Sequence, residues 1–230
     1  MEEYILNIGI VIQARMGSSR LPGKVLKKIG NKNLLEHILY RLTKLTHVTK
    51  TVIATSTLKR DDIIVSFCKK NQINFFRGSE EDVLERYYLC AKLNNFNHIV
   101  RLTGDNPFID IPSLNNLIKQ HMKTNADYSR SFNSLPKGVG AEIFTFNALE
   151  KSYLNGKKRN HKEHVNEYIE ENEDKFRVFD LSIKSKKSYK NISLTLDTED
   201  DYKKACFIVK NAKKEYIPTE EAIELCLQYA

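Results

Sequence analysis

The chain has 230 residues, 41% hydrophobic and 29% charged, the length and balance of one globular domain with a real buried core rather than of two domains. No apolar run approaches the roughly 20 residues that span a bilayer, and the acidic start Met1-Glu2-Glu3 is unlike the basic start of a signal peptide, so a cytoplasmic protein outside the membrane is expected. A formal charge of +8 suits polyanions (nucleotides, nucleic acids, acidic lipids) without choosing among them.

The short β-branched run 5–12 reads as a buried strand that enters the polar loop Gln13-Ala14-Arg15-Met16-Gly17-Ser18-Ser19-Arg20. Leu34, Leu35, Ile38, Leu39, Leu42 and Leu45 recur at helical spacing, and 51–55 is a second buried strand. A helix over 61–70 and a strand over 73–76 follow, and Ser79 with Asp82 forms a capping signature for a helix running to 93. The strand 98–102 ends in the turn Thr103-Gly104-Asp105-Asn106-Pro107, and a helix over 111–122 tolerates Pro112 in its first turn. Alternating strands and helices predict parallel βαβ units. Further on the pattern loosens: 129–140 reads as loop, 141–146 as strand, 162–171 as helix, 177–183 and 191–196 as strands joined by a mobile lysine- and serine-rich loop over 184–190. Thr198 with Asp201 caps a helix to about 213, and Pro218-Thr219 opens a last one to 227. A mixed, mostly parallel sheet in one domain over 1–230 is therefore expected.

Many lysines stand in pairs scattered along the chain, which reads as a solvated surface. Cys68, Cys90, Cys206 and Cys226 form no C-x-x-C, so neither a zinc site nor a disulfide framework is expected, and each is read as a small apolar residue in or near a helix. Tyr87-Tyr88 is read as helix packing, not a base-stacking platform.

In open parallel sheets ligands bind at the carboxyl ends of the strands, and three of these ends carry chemistry. In the loop 14–24, Arg15, Arg20 and Lys24 supply cations, while Gly17, Ser18 and Ser19 let backbone N–H groups approach phosphate oxygens. It is not a Walker A loop. Asp105 follows a buried strand and a glycine, where a carboxylate can hold Mg2+ against phosphates or simply form an Asx turn. Asp197, after 191–196, completes such a metal site if its strand lies beside that of Asp105, and is otherwise a helix-dipole partner.

The loop Ile12-Gln13-Ala14-Arg15-Met16-Gly17-Ser18-Ser19-Arg20-Leu21-Pro22-Gly23-Lys24-Val25-Leu26 resembles the nucleotide-binding loop of the cytidylyltransferase family, which includes the CMP-sialic acid and CMP-Kdo synthetases. The likeness is greatest to its spore-coat-polysaccharide-biosynthesis branch. It continues through Arg77-Gly78-Ser79, Asp82-Val83-Leu84-Glu85-Arg86-Tyr87, Val100 to Pro107, Gly140-Ala141-Glu142-Ile143-Phe144, Glu163-His164-Val165 and Leu194 to Asp200, covering essentially the whole chain. The resemblance implies a Rossmann-like, three-layer α/β/α nucleotide-diphospho-sugar transferase fold. It implies that Arg15 and Lys24 contact the triphosphate, with Arg20 near and Ala14, Gly17 and Ser18 lining the loop. Asp105 and Asp197 correspond to the family's Mg2+ ligands; Thr55, Gly78, Ser79, Asp82 and Thr103 fall around the nucleotide; Glu142, Glu163 and His164 face the acceptor. Taken alone, Glu142 reads as the solvent face of a strand and His164 as a surface or core imidazole.

The implied activity is transfer of CMP from CTP to a sugar acid, with pyrophosphate released, for surface polysaccharide or glycan biosynthesis, in a homodimer with an irregular acceptor-binding and dimerisation subregion over 126–190. No nucleic-acid or membrane partner is expected. The G-T-[DE]-R segment of the Kdo type is missing, with Thr55-Ser56-Thr57-Leu58 in its region, and Gly23-Lys24 stands where the sialic-acid type has Lys-Asn. The base and acceptor are thus less constrained than the chemistry. Rival readings are transfer to a sugar 1-phosphate from another NTP, a non-catalytic nucleotide-binding protein of the same fold, and a nucleic-acid-binding module.

Overall fold

The structure, a computed structural model, describes residues 7–46, 50–183, 186–189 and 191–229. The acidic start, the first two residues of the predicted strand 5–12, His47 and part of the predicted loop 184–190 lie outside the described residues.

In chain order the elements are β1 (Ile8–Gln13), the two-residue hairpin β2 (Lys28–Ile29) and β3 (Lys32–Asn33), α1 (Leu34–Leu42), β4 (Lys50–Ser56), α2 (Asp62–Lys70), β5 (Asn74–Gly78), α3 (Val83–Leu93), β6 (His98–Thr103) and α4 (Ile111–Thr124). Then come β7 (Tyr128–Arg130), β8 (Glu142–Thr145), α5 (Phe146–Asn155), α6 (Arg159–Glu163), α7 (Glu167–Glu170), β9 (Val178–Asp180), α8 (Glu199–Asn211) and α9 (Thr219–Tyr229). Seven strands form one sheet in the order β5-β4-β1-β6-β8-β7-β9. The first four are mutually parallel, β8 runs antiparallel to both β6 and β7, and β9 is parallel to β7. This is the expected mostly parallel mixed sheet.

Period-two alternation sorts the two faces. Along β1, Ile8, Ile10 and Ile12 pack with residues of α1, α2, α4, α8 and α9, whereas Val11 packs with α3, α5 and α7. Three layers, α/β/α, follow. All four cysteines are free helix residues, and burial pushes the thiols of Cys68 and Cys90 up to about 11 and about 12. Tyr87 is fully buried and its hydroxyl donates between the carbonyls of Val11 and Leu102, tying α3 to two strands at once, while Tyr88 stacks on Tyr153 with centroids 4.5 Å apart.

Several expectations are corrected. Asp82, not Ser79, is the N-cap of α3: its carboxylate accepts from the Glu85 N–H at 2.9 Å, while Ser79 Oγ accepts from the Asp82 N–H one turn earlier. The loop 129–140 begins inside a strand, β7. The strand-like stretch 141–146 ends at Thr145, whose side chain caps a helix, α5, that the periodicity did not reveal. The helix over 162–171 is two short ones separated around His164 and Val165. Segment 191–196 joins no sheet. A single bridge pairs Ser193 with Lys137, and Leu196 N–H donates to the Asp105 carbonyl at 2.9 Å. Gly138, at φ +87°, permits this approach, because a Cβ there would lie 2.8 Å from the Thr195 nitrogen. Thr198 and Asp201 do form the predicted capping box of α8. Most paired lysines are exposed; Lys187 instead reaches the buried Asp110 carboxylate at 2.9 Å.

Candidate active site

A cleft of about 430 Å³ opens at the carboxyl ends of β1 and β6. Its N-terminal wall is the loop after β1: Ala14, Arg15, Gly17, Ser18, Arg20 and Lys24 line it. Thr103, Asp105 and Asp197 line the opposite side, and Glu163 and His164 stand at the rim, both exposed.

The loop is shaped by contacts distant in sequence. Asp61 is fully buried, and its carboxylate accepts from the Met16 N–H at 2.7 Å, from the Ser56 N–H at 3.3 Å and from the Ser56 hydroxyl. One aspartate therefore fixes the middle of the loop to the end of β4. Gly23 supplies the left-handed residue, φ +67°, that turns the chain so that Lys24 points back into the cleft. Glu80 pairs with Arg60 and lies 3.9 Å from Arg15, and a Cβ at Gly17 would strike both Arg60 and Glu80.

Lys24 is the centre of the charge network. Its side chain is 12% exposed, and its ammonium donates to Asp105 Oδ2 at 3.1 Å, to the Leu196 carbonyl at 2.9 Å and to Asp197 Oδ1 at 2.8 Å. Arg20 approaches the other Asp197 oxygen at 3.3 Å. Partial burial opposes ionisation of Asp197, but the hydrogen bond and charge of Lys24, then the charges of Arg20 and Lys137, outweigh it and hold the carboxyl below its usual range. The condition set for Asp197, a strand beside that of Asp105, is not met: it follows an irregular segment, although the Leu196 N–H of that segment is bonded to Asp105 in the turn after β6, and both carboxylates reach one ammonium.

Among the described residues no group of three or more His, Cys, Asp or Glu could hold a metal ion. A metal ion placed in the cleft would meet two hard carboxylates, Asp105 and Asp197. This fits Mg2+, which commonly takes one or two carboxylates and completes its shell with water and phosphate, and does not fit a thiolate or imidazole metal.

Five predicted residues do not line the cleft. Thr55 is fully buried, with its Oγ1 unpartnered among the described residues, and Gly78 sits against Phe76 and Arg86. Ser79 and Asp82 build the entry to α3, and Asp82 also pairs with Lys162 at 3.4 Å, which sets α6, and with it Glu163 and His164, beside α3. Glu142 is 5% exposed rather than on a solvent face, and its Oε2 lies 2.8 Å from Arg101, a residue that does line the cleft. Burial opposes the charge on Arg101, but Glu142 more than offsets this and raises its pKa. Removing one member of such a buried pair costs about 3–5 kcal/mol.

Gln13, Arg86 and Arg101 were missed as cleft residues. Gln13 and Arg101 occupy strands, where an arginine between Val100 and Leu102 was itself a legible signal, since a buried strand does not carry a guanidinium without a use for it. Arg86 lies on a helix whose pattern marks no charged face; it stands in the resembling segment 82–87, which by itself assigns it no role.

The cytidylyltransferase family profile matches residues 9–226. A spore coat polysaccharide biosynthesis protein of Bacillus subtilis, SpsF, is 37% identical over 201 residues, covering 85% of this chain and 83% of that one. An uncharacterized protein of Methanocaldococcus jannaschii is 42% identical over 193 residues, 84% of this chain and 79% of its own. The solved structure of a cytidylyltransferase from Leptospira borgpetersenii superposes with a TM-score of 0.90 at 32% identity, covering 97% of this chain and 94% of that one. The fold is that of a nucleotidyltransferase. The chain belongs to the cytidylyltransferase family.

Proposed function

We propose that the protein transfers CMP from CTP to a sugar acid and releases pyrophosphate, with Mg2+ bound by Asp105 and Asp197. The observation that carries this reading is the position of Lys24, held between those two carboxylates at the end of a basic loop. The family's cytidylyl chemistry supports CTP as donor, and the likeness of the loop to CMP-sialic acid and CMP-Kdo synthetases supports a sugar acid as acceptor.

An acceptor oxygen attacks the α-phosphorus in line as pyrophosphate departs. Arg15, Arg20 and Lys24 offset the charge that builds on the leaving group, Lys24 as a group already held in position by its three acceptors. Bound Mg2+ supplies Lewis-acid neutralisation of phosphate oxygens. Glu163 and His164 at the rim bind the acceptor, while Glu142 acts through Arg101. Thr103, whose hydroxyl accepts from Asn106 Nδ2 at 2.6 Å, keeps the turn of Asp105 in place. No covalent enzyme intermediate is required. A homodimer and a cytoplasmic location belong to the same reading; no described helix is long and apolar enough to cross a membrane.

The test is pyrophosphate release with Mg2+ and each of CTP, UTP, GTP and ATP against 2-keto-3-deoxy sugar acids and sugar 1-phosphates. Release with CTP and a sugar acid is expected. Release only with a sugar 1-phosphate and another NTP replaces this reading, and nucleotide binding without release across the panel removes it. Gel filtration at the mass of a single chain refutes the dimer.

A further inference from the structure

Two arginines on the cleft wall differ in how their charge is met. Arg101 has a carboxylate partner, Glu142, at 2.8 Å. Arg86, on α3, is only 1% exposed, yet among the described residues no carboxylate oxygen lies within ion-pair distance of it. Its Nη1 donates to the carbonyls of Ser79 and, at 3.5 Å, Glu80, and its buried Nε–H has no acceptor among the described residues. Burial is the largest influence on this guanidinium and pushes its pKa down, with Arg15 in support, while Tyr87 and, more weakly, Asp61 and Glu80 act in the other direction. An arginine nevertheless stays protonated in proteins. The side chain is therefore a buried cation without a contacting counter-ion, an arrangement that folding alone does not favour. Its space is reserved: a Cβ at Gly78 would lie 3.1 Å from Arg86 Cγ.

Resting on the nucleotidyl transfer argued above, we propose that Arg86 is a substrate-binding residue whose counter-ion is an anionic oxygen group of a bound substrate, brought into the cleft it shares with Arg15, Arg101 and Asp105. Two substrates can supply such oxygens, the phosphate chain of the nucleotide and the carboxylate of the acceptor. Either one gives Arg86 the charged partner that the unliganded fold withholds, and the two stable carbonyl contacts hold the fork ready for it.

The test uses the intact protein and the variants Arg86→Met and Arg86→Lys. Affinities for CTP and for tripolyphosphate, a base-free anion, are read from ligand-induced shifts in melting temperature, and the acceptor KM from pyrophosphate release. Arg86→Met is expected to melt cooperatively without ligand and to bind the relevant substrate about 10- to 100-fold more weakly, the range for losing a hydrogen bond to a charged group. Arg86→Lys is expected to fall between it and wild type. Loss of both CTP and tripolyphosphate affinity assigns the phosphate chain, and unchanged affinities with a raised acceptor KM assign the acceptor's carboxylate. Unchanged affinities and KM in folded Arg86→Met overturn the proposal, as does loss of CTP binding with tripolyphosphate binding kept, which points to the nucleoside. If Arg86→Met does not fold, Arg86→Lys is read by the same criteria. A wild-type protein that binds tripolyphosphate but not CTP sinks the cytidine reading while leaving the Arg86 comparison intact on tripolyphosphate.

Discussion

The two ends of β6 open onto hollows of nearly the same size and opposite chemistry. At the carboxyl end lies the cleft of about 430 Å³, with Arg101, Thr103 and Asp105 contributed by the strand and its turn. At the amino end a hollow of about 470 Å³ is lined by Phe96, His98, Thr145 and Phe146. His98 Nδ1 meets His121 Nε2 at 3.0 Å, and burial lowers both pKa values, with the neighbouring His98 helping to take His121 down to about 3. Volume therefore does not mark the site. What marks it is charge gathered where parallel strands end and their helices begin.

The comparison breaks first at Asp105. Asp105→Asn should lower turnover by at least about 100-fold, the loss expected for one preorganised electrostatic group; pyrophosphate release near the wild-type rate would remove the carboxylate from the chemistry. Next is the buried anchor of the loop. Asp61→Asn exchanges one acceptor oxygen for a donor facing the Met16 or Ser56 groups, and should raise the KM for CTP about tenfold with a smaller change in kcat, as expected for a lost hydrogen bond to a charged group. A KM within twofold of wild type would mean that the loop holds its shape without Asp61.

The far end sharpens the contrast from the other side. A Cβ on Gly9 would lie 2.3 Å from the ring of Phe96, so Gly9→Ala should destabilise the fold by about 1–3 kcal/mol in denaturant melts, with CTP affinity unchanged. A matching loss of affinity would show that the two ends are coupled. The smallest effect concerns acid. Asp197 has a folded pKa below its unfolded value of about 3.9. Its contribution to stability is present above that pH and is lost as pH falls through the lower folded value. Asp197→Asn should therefore flatten the stability curve below about pH 4, and an unchanged acid limb would show that the Lys24 contact adds nothing to the fold.

The parallel half was legible because each element carried its own period. Ile8, Ile10 and Ile12 alternate with Gly9 and Val11, and the leucines of α1 recur at helical spacing. The second half was harder, since its elements are short and their state depends on partners. Ile192, Leu194 and Leu196 alternate like a strand and are largely buried, but their neighbours are a loop at Lys137 and the carbonyl of Asp105. Tyr128 to Arg130 form a strand only because β8 and β9 flank them. The same division holds in the cleft. Arg15, Arg20, Lys24 and Asp105 sit in turns whose composition announces them, whereas Arg86 and Glu142 acquire meaning from a helix and a ladder register, Arg101 opposite Glu142, that no local window contains.

The span of the contacts that build the cleft has a consequence for folding. The bond from Met16 to Asp61 closes a separation of 45 residues, and that from Lys24 to Asp197 one of 173. A state in which α8 and the segment before it have detached leaves Lys24 without two of its three acceptors, the Leu196 carbonyl and the Asp197 carboxylate. A bound nucleotide should therefore slow amide exchange cooperatively from β1 to α8, protecting the global opening rather than one loop, and nucleotide affinity becomes a measure of how much of the population has finished folding.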